Sequence, residues 1–330
     1  MLKRIFPSLL VVLIFLSACA PQPTPAPTAT TKPLTQIRLP MGYIPNVQFA
    51  PFYMAVERGL YNDAGINVQF DYSNETDGVA LVGANKLQFA IVSGEQVLLA
   101  RAQGLPIVYV MAWYQKYPVS IISRADQNIQ APQDLKGKKI GLPGLFGASY
   151  IGLRALLYTA GLKESDVTLD SIGYNQVQSL TAGQDLIVVG YADNEPVILH
   201  SKGVDVNELR VADYVELASN GIITNEATIA QNPDLVRNFV SATLQGIQDT
   251  IADPDTAYDV SKKYVPNLDQ ADTAVQKQIL GTSIELWRAA QLGYSDPKSW
   301  TNMQQVLLNM GLYTKPLDVS KAYSNDFLPK

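Results

Sequence analysis

Apolar and polar residues follow a pattern that predicts strands and helices in alternation along most of the chain. Residues 66–72 alternate singly, which is typical of a strand with one buried face. Residues 87–92 are mostly apolar and 105–113 are continuously so, as expected of strands buried on both faces. Stretches with helical periodicity separate these strands, at residues 55–63, 76–85 and 97–103. With a first strand at 36–40, this order predicts a mostly parallel sheet flanked by helices.

The middle of the chain repeats this arrangement, which indicates a second lobe. Strands and helices are again predicted in turn, at 138–142, 150–160, 167–174, 176–182 and 185–191. Two short strands flank this part, at 119–123 and 219–224. From Asn232 onward the pattern is mainly helical. We therefore predict an α/β fold in which residues 36–122 and 219–330 form a first lobe and residues 123–218 form a second lobe.

The N-terminal segment indicates export and lipid attachment. Lys3 and Arg4 precede an apolar run at 9–16, and Leu-Ser-Ala at 16–18 stands directly before Cys19. This arrangement is typical of a bacterial lipoprotein signal, and the run is too short for a membrane-spanning helix. A signal cut elsewhere, with an incidental cysteine, is the alternative interpretation. We predict that residues 1–18 are removed and that Cys19 is lipidated.

Residues 19–35 are predicted to form a tether. Proline stands at every second position from Pro21 to Pro27, and proline this dense favours an extended chain over helix or sheet. One acyl chain anchors only marginally, so stable attachment requires the several chains, palmitate among them, that bacterial lipoproteins carry. These features predict a protein held on the cell membrane at its extracytoplasmic face.

Composition and charge exclude several functional classes. The chain has 330 residues, of which 47% are hydrophobic, and it carries 25 basic and 30 acidic residues for a formal net charge of −5. An acidic chain without a basic run is a poor candidate for nucleic-acid binding. Cys19 is the only cysteine, which excludes disulfides and cysteine-rich metal sites. We predict no metal site and no cofactor.

Five predicted strand ends are expected to meet at a cleft between the lobes, because open α/β sheets bind ligands at the carboxyl ends of their strands. These segments are 43–53, 93–96, 113–117, 146–150 and 191–195. They supply the residues that we predict to bind the ligand: Tyr43, Asn46, Phe49, Glu95, Trp113, Tyr117, Phe146, Ser149, Tyr150, Tyr191, Asp193 and Asn194.

The charges of these segments indicate the kind of ligand. Their charged residues are Glu95, Lys116, Asp193 and Glu195, with no arginine. A bound anion would be expected to meet a bidentate arginine or a bare helix N-terminus, which only the turn at 147–149 could supply. Tyrosine and tryptophan faces stack on flat rings, and carboxylates accept hydrogen bonds from ring N–H groups. The cleft is therefore predicted to bind a small neutral heteroaromatic molecule.

Simpler roles are open for each of these residues. The aromatic side chains could belong to the core, and Glu95 and Asp193 could cap helices or pair with neighbours. The glycine-rich turn at 144–147 lacks the lysine and the spacing of a P-loop. Ser149 has no base to activate it, and His200 follows an apolar helical face and is interpreted as structural. We predict that the protein is not an enzyme.

Several motifs resemble those of ABC-transporter solute-binding proteins. They are the lipobox and tether, Gly-Tyr-Ile-Pro-Asn at 42–46, Ala-Pro-Phe-Tyr-Met-Ala at 50–55, Glu-Arg-Gly-Leu-Tyr at 57–61, and Asp-Leu-Lys-Gly-Lys-Lys-Ile-Gly at 134–141. The resemblance spans roughly residues 37–310. The motif at 42–55 is moderately specific for the branch that holds sulfonate-binding, thiamine-pyrimidine-precursor-binding and riboflavin-binding proteins, whereas the motif at 134–141 is shared by many binding proteins.

This resemblance implies a two-lobed periplasmic-binding-protein fold of type II. It also implies a monomer that closes on its ligand and delivers it to a membrane permease driven by an ATPase. Tyr43 and Asn46 match the first-lobe ligand loop, 93–95 match the second strand-end loop, and 146–150 match the start of the second-lobe helix. The open form is expected to bind through Tyr43, Trp113 and Glu95. The second lobe then closes with Phe146, Ser149, Tyr191 and Asp193, about a hinge near 119–124 and 218–222.

The arginine-poor cleft departs from the sulfonate-binding branch and favours the vitamin-binding branches. Because the aromatic residues are abundant, the predicted ligand is riboflavin, as cargo rather than cofactor, with an aminopyrimidine precursor of thiamine as the alternative. Related pyrimidine synthases need a reactive histidine and a cysteine-rich iron motif, which this chain lacks. A receptor or adhesion protein on the same anchor would predict an exposed apolar patch and no closed cleft.

Overall fold

The computed structural model of the protein describes residues 33–329. The predicted signal peptide, the lipidated Cys19 and the tether up to residue 32 lie outside these residues. Within 33–329, every helix is too short or too polar to cross a bilayer.

Strands of the first lobe lie in two neighbouring groups. Their bounds are β1 Thr35–Gly42, β2 Ile66–Asn74, β3 Ala90–Val92, β4 Ile107–Ala112 and the returning strand, β10 Gly221–Asn225. β1 and β2 pair in parallel, with Ile37 opposite Val68. β10 lies between β3 and β4 and is antiparallel to both. β1 packs beside β3, so the carboxyl ends of β1, β2, β3 and β4 point to one edge.

The second lobe contains a five-stranded sheet in the order β7-β6-β8-β5-β9. Its strands are β5 Val119–Arg124, β6 Lys139–Leu142, β7 Thr168–Ser171, β8 Ile187–Tyr191 and β9 Val206–Arg210. β6 is parallel to β7 and β8, whereas β5 is antiparallel to β8 and β9. The two lobes therefore share one arrangement, in which a strand arriving from the other lobe enters the sheet antiparallel to its neighbours.

Helices flank these sheets and continue to the C-terminal part of the chain. They are α1 Ala50–Glu57, α2 Leu60–Asp63, α3 Glu75–Gly83, α4 Gly94–Ala102, α5 Gly147–Thr159, α6 Gln176–Ala182, α7 Glu195–Ser201, α8 Glu226–Gln231, α9 Pro233–Ala252, α10 Pro254–Ser261, α11 Thr273–Trp287 and α12 Pro297–Asn309. α9 packs along α1, and α12 packs against both α4 and α5. The C-terminal helices thus cover the first lobe and reach the second.

The structure differs from the sequence-based expectation in three respects. The sheets are mixed rather than mostly parallel. β5 and β10 each arrive directly from the other lobe and pair antiparallel to their neighbours, whereas a crossover helix is needed only between parallel neighbours. The helix predicted at 55–63 is divided into α1 and α2 at Gly59, whose φ of 72° breaks the helix. β9 was not assigned from the sequence, and α7 was recognised only as the apolar helical face that precedes His200.

The predicted lobe boundaries at 122/123 and 218/219 stay predictions. β5 extends across the first of them, and β10 begins just after the second. The apolar core continues past both positions, since one buried cluster includes Ile121 and Ile140 together with Ile107 and Trp300. These two crossing strands hold the strand ends that surround the cavity described next.

Candidate functional site

A cavity of about 370 Å³ opens where the strand ends of the two lobes face each other. This volume lies within the range of about 300–1,000 Å³ that is typical of pockets for drug-sized ligands. Predicted ligand-binding residues that line it come from both lobes: Tyr43, Phe49, Trp113, Phe146, Ser149, Tyr191 and Asn194. The structure therefore brings together strand ends that are far apart in sequence.

The other predicted residues do not line the cavity. Asn46 accepts a hydrogen bond from the Gln48 backbone N–H at 3.0 Å and caps a short 3₁₀ helix. The Tyr117 hydroxyl donates to the carbonyl of Ala148 at 2.9 Å, and Tyr150 donates to Glu164. Glu95 and Asp193 are buried behind the cavity wall.

Several lining residues were not proposed from the sequence. They are mainly polar or aromatic side chains of the strand ends and of the turn before β10: Gln48, Asn74, Glu75, Thr76, Gln96, Tyr174, Gln176, Glu195 and Asn220. Glu75 directly follows β2, so the strand-end argument that selected Glu95 and Asp193 would also have selected it. Asn220 carries no such signal, because it precedes a strand and reaches the cavity only through the position of β10.

Trp113 forms the centre of an aromatic cluster at the inner end of the cavity. Its ring stacks on Phe49 at a centroid distance of 5.3 Å and meets Phe52 edge-on at 5.2 Å. Trp113 is only 4% exposed, and that remainder faces the cavity. This packing fixes the indole ring and leaves only its edge at the cavity, so Trp113 offers a preoriented apolar edge to a flat ligand.

The mouth of the cavity is also aromatic, with contributions from both lobes. Tyr43 follows β1 and meets Tyr174 of the second lobe edge-on at 5.1 Å. Phe146, at the start of α5, is 60% exposed and borders the opening. Exposed aromatic rings at an opening are available to pack on a ligand that fills the cavity.

Buried polar atoms without partners mark places where a ligand can bind. Trp113 Nε1 is a hydrogen-bond donor without an acceptor, and Asn194 Oδ1 is an acceptor without a donor. Both residues line the cavity and are less than 9% exposed. Since buried polar groups are rarely left unpaired, a ligand with both acceptors and donors on its edge would complete them.

Two acidic residues of the first lobe are joined through a serine. Ser93 Oγ lies 2.6 Å from Glu75 Oε2 and is also hydrogen-bonded to Glu95 Oε1. Burial raises the pKa of both carboxyl groups, and the neighbouring Glu95 raises the pKa of Glu75 further, to about 8. Asn220 Nδ2 lies 3.4 Å from Glu75 Oε1. This network forms the polar side of the cavity.

Asp193 and Glu195 stabilise the second-lobe side. Tyr114 and Ser283 both donate to Asp193 Oδ2, at 2.7 and 2.6 Å. Glu195 accepts from the Tyr191 backbone N–H at 2.7 Å, and burial raises the pKa of Glu195 to about 7. Asp193 thus connects the loop after β8 to first-lobe residues.

The lining contains no lysine, arginine or histidine, so no cation faces the ligand space formed by residues 33–329. The same residues hold no cluster of three His, Cys, Asp or Glu side chains that could bind a metal ion. Its charged groups are Glu75 and Glu195. A fully charged anion would therefore bind here without a countercharge.

The profile of the NMT1/THI5-like family matches residues 46–257, which is more than half of the chain. The protein belongs to the NMT1/THI5-like family. Among its relatives, the riboflavin-binding protein RibY of Chloroflexus aurantiacus is 42% identical, over 97% of this chain and 96% of RibY. A formylaminopyrimidine-binding protein of Halalkalibacterium halodurans is 25% identical, over 96% of this chain and 97% of that protein.

A solved structure supports the fold assignment. The periplasmic aliphatic sulphonate binding protein SsuA from Escherichia coli superposes on this protein with a TM-score of 0.70 and 14% sequence identity, covering 87% of this chain and 91% of SsuA. At that identity the similarity shows the fold alone. The predicted two-lobed periplasmic-binding-protein fold of type II is confirmed.

We expect Asp193→Ala to reduce the free energy of unfolding by about 2–3 kcal/mol, because it leaves the buried Tyr114 hydroxyl without an acceptor, whereas Ser283 can still donate to the carbonyl of Ile279. Urea unfolding measures this loss. Asp193→Asn is the matched control, since its amide oxygen still accepts, and its loss should be about 1 kcal/mol. Equal losses in the two variants would show that the hydrogen bonds to Asp193 contribute little.

Proposed function

We propose that this protein is the extracytoplasmic solute-binding subunit of an ABC importer and that it captures riboflavin. The observation that carries the proposal is the cavity of about 370 Å³, which combines aromatic faces, unpartnered donors and acceptors, and no cation. The 42% identity to RibY over nearly the whole chain supports the same ligand.

The chemistry of riboflavin matches these features. Its isoalloxazine ring system is flat, uncharged and large enough to lie against Trp113, and one edge carries carbonyl acceptors next to an N–H donor. Trp113 Nε1 can donate to such an acceptor, and Asn194 Oδ1 can accept from such a donor. The polar ribityl chain would then extend toward the mouth, between Tyr43 and Phe146.

A sulfonate fits less well than a neutral ring. Sulfonate and phosphate groups are usually held by bidentate arginine or by several charge-assisted hydrogen bonds. The lining offers carboxyl groups and amides instead. The shared fold with SsuA therefore does not extend to an anion-binding cavity of the expected kind.

An aminopyrimidine precursor of thiamine is the second candidate. It is favoured by the 25% identity to the formylaminopyrimidine-binding protein. A single pyrimidine ring would also pair with donors and acceptors at the inner wall. It would leave the aromatic rings at the mouth, Tyr43, Tyr174 and Phe146, without contact, and for this reason we favour the larger ring.

Transport requires partners and a location that follow from the proposed role. We propose that Cys19 carries the lipid anchor, that the tether lets the binding domain reach the permease, and that a cytoplasmic ATPase drives uptake. The two crossing strands, β5 and β10, are proposed to act as the hinge of a monomer that opens and closes.

A pyrimidine-synthase-like enzyme is less well supported. His200, the only histidine in the chain, lies exposed near the end of α7 and does not line the cavity. Within residues 33–329, the lining offers no serine, histidine and carboxylate in hydrogen-bond contact with one another. We therefore propose binding and release of an unmodified ligand.

Titration of riboflavin with the protein, begun after Cys19, is the test of the ligand. We expect saturable quenching of flavin fluorescence at or below micromolar concentration, because stacking on Trp113 and its neighbours quenches the flavin. Binding at 1 μM corresponds to about −8 kcal/mol, which is accessible to a ligand of this size. A thermal shift on adding riboflavin should accompany the quenching.

The same titration with a formylaminopyrimidine distinguishes the two candidates. A flat riboflavin titration, together with a thermal shift caused by the pyrimidine, would replace riboflavin as the ligand and leave the transport role in place. A flat response to both, with the protein folded, would contradict the assignment of this cavity to either vitamin.

A further inference from the structure

We propose that Glu75 and Glu95 share one proton through Ser93, so that Glu75 presents an uncharged carboxylic acid to the ligand and makes the cavity selective for neutral rings. This inference rests on the proposed function and concerns the same cavity. It assigns to Glu75 the role of a specificity-determining residue.

The count of hydrogens requires a protonated carboxyl group. Ser93 Oγ contacts Glu75 Oε2 at 2.6 Å and also contacts Glu95 Oε1. A hydroxyl group carries one hydrogen and can donate to only one of these oxygens. The other contact is attractive only if that carboxyl group donates to Ser93. If both carboxyl groups were ionised, one of the two contacts with Ser93 Oγ would have no hydrogen between its oxygen atoms.

Neighbouring donors decide which carboxyl group carries the proton. Glu95 Oε1 also lies 3.4 Å from Gln96 Nε2, which can only donate. At Glu75 the amide donor, Asn220 Nδ2, lies 3.4 Å from the other oxygen, Oε1, so Oε2 can carry the proton toward Ser93. Asn220 Oδ1 in turn lies 3.3 Å from the Tyr191 hydroxyl. The bonds then run in one direction, from Tyr191 through Asn220, Glu75 and Ser93 to an ionised Glu95.

No countercharge is available to keep both groups ionised. Neither Glu75 nor Glu95 forms a salt bridge within residues 33–329. The elements around α3 carry Arg38 and Asp71, which pair with each other, and Arg101, which pairs with Glu226. The other titratable groups that act on Glu75 or are affected by it are Glu95, Tyr117, Tyr174 and Tyr191. Two adjacent carboxyl groups, Glu95 fully buried and Glu75 half-buried, are expected to retain one proton when no countercharge is near.

The network belongs to a wall that also points to a ligand by independent features. Glu75 lines the cavity beside Asn220. Trp113, only 4% exposed, lines the same space with an unpartnered Nε1, as does Asn194 with an unpartnered Oδ1. A ligand that meets these groups is therefore in the same space as Glu75.

A neutral Glu75 has a defined consequence for binding. A ligand in the cavity excludes water from Glu75 and so disfavours its charged form further. Binding and protonation of Glu75 are then linked, and affinity falls as pH rises through the pKa of Glu75 in the free protein. A ligand carrying a negative charge would be repelled by the ionised Glu95 behind the cavity wall and, as pH rises, by an increasingly ionised Glu75 as well.

The test is a riboflavin titration of the full-length protein from pH 6.5 to 9.5. We expect affinity about five- to tenfold weaker at pH 9 than at pH 7, the most that one linked proton with a pKa near 8 can give over this interval. Glu75→Gln, which cannot ionise, should remove this pH dependence. Glu95→Gln should move its midpoint to lower pH, because Glu75 then loses the neighbouring negative charge.

Asp77→Asn is the matched control, since Asp77 is exposed on the same helix and does not line the cavity. It removes an equal charge and should keep the pH dependence of the wild type. A wild-type affinity that is constant over this range, or a Glu75→Gln variant that keeps the wild-type dependence, would overturn the proposal.

A second measurement separates this proposal from the ligand assignment. The folded-state pKa of Glu75 is raised above its unfolded value, so its stabilising contribution is complete below about pH 4.5 and is lost as pH rises through about 8. Without ligand, the Tm of Glu75→Gln should therefore rise relative to wild type between pH 5 and pH 9. If this relative Tm rises but riboflavin does not bind, the shared proton is supported and riboflavin is rejected as the ligand. If the relative Tm does not rise, the shared proton is rejected.

Discussion

Replacing Tyr43 and Trp113 together by alanine is expected to weaken riboflavin binding by well over tenfold. Trp113 presents a fixed indole edge at the inner end of the cavity and Tyr43 an aromatic ring at its mouth. Each aromatic contact contributes on the order of 1 kcal/mol beyond area burial, and each lost contact also removes apolar burial. Fluorescence titration of the double variant measures the loss.

Trp113 also belongs to the core, so stability must be measured alongside affinity. Truncating a buried tryptophan costs about 3–5 kcal/mol of folding free energy. Trp113→Phe and Trp300→Phe form a matched pair, because both remove a buried indole but only Trp113 lines the cavity; Trp300 stacks on Tyr323 elsewhere. Only the first should change affinity. If the folded double variant, with Tyr43 and Trp113 both replaced by alanine, binds riboflavin with wild-type affinity, neither residue belongs to the site.

Replacing Gly221 by alanine is expected to reduce the free energy of unfolding by about 3 kcal/mol or more. Gly221 begins β10 and pairs with Ala112 of β4 and Val92 of β3. A Cβ atom there would lie 2.1 Å from the Tyr109 hydroxyl oxygen and 2.2 Å from the carbonyl oxygen of Met111. The second contact is with backbone of the central strands, which cannot move without breaking the ladder. Urea unfolding, or soluble yield if folding fails, measures the effect.

Gly281→Ala is the matched control for that substitution. Gly281 is exposed within α11, and a Cβ atom there would meet nothing within 4 Å. Alanine in place of an exposed helical glycine stabilises by about 0.5–1 kcal/mol. The two glycine substitutions should therefore have opposite signs. A Gly221→Ala loss below 1 kcal/mol would show that β10 can shift away from β4.

Pattern in the sequence was sufficient for most elements of both lobes, β9 excepted, because a strand and a helix each have their own periodicity. β2 shows the alternation of a half-buried strand, and β4 shows the continuous apolar run of a buried one. The strand-end rule also selected residues that line the cavity, among them Tyr43, Trp113 and Tyr191. These inferences depend on local properties of the chain, which the sequence states directly.

Tertiary structure alone decided the direction of the crossing strands and which strand-end side chains face the ligand. Periodicity does not encode whether a strand runs parallel or antiparallel, so the placement of β10 between β3 and β4 could not be predicted. Asp193 turned toward Tyr114 and Ser283, and Glu95 toward Ser93, because buried carboxyl groups are held by whichever donors the fold brings near. Glu75 and Asn220, separated by 145 positions, meet in the cavity for the same reason.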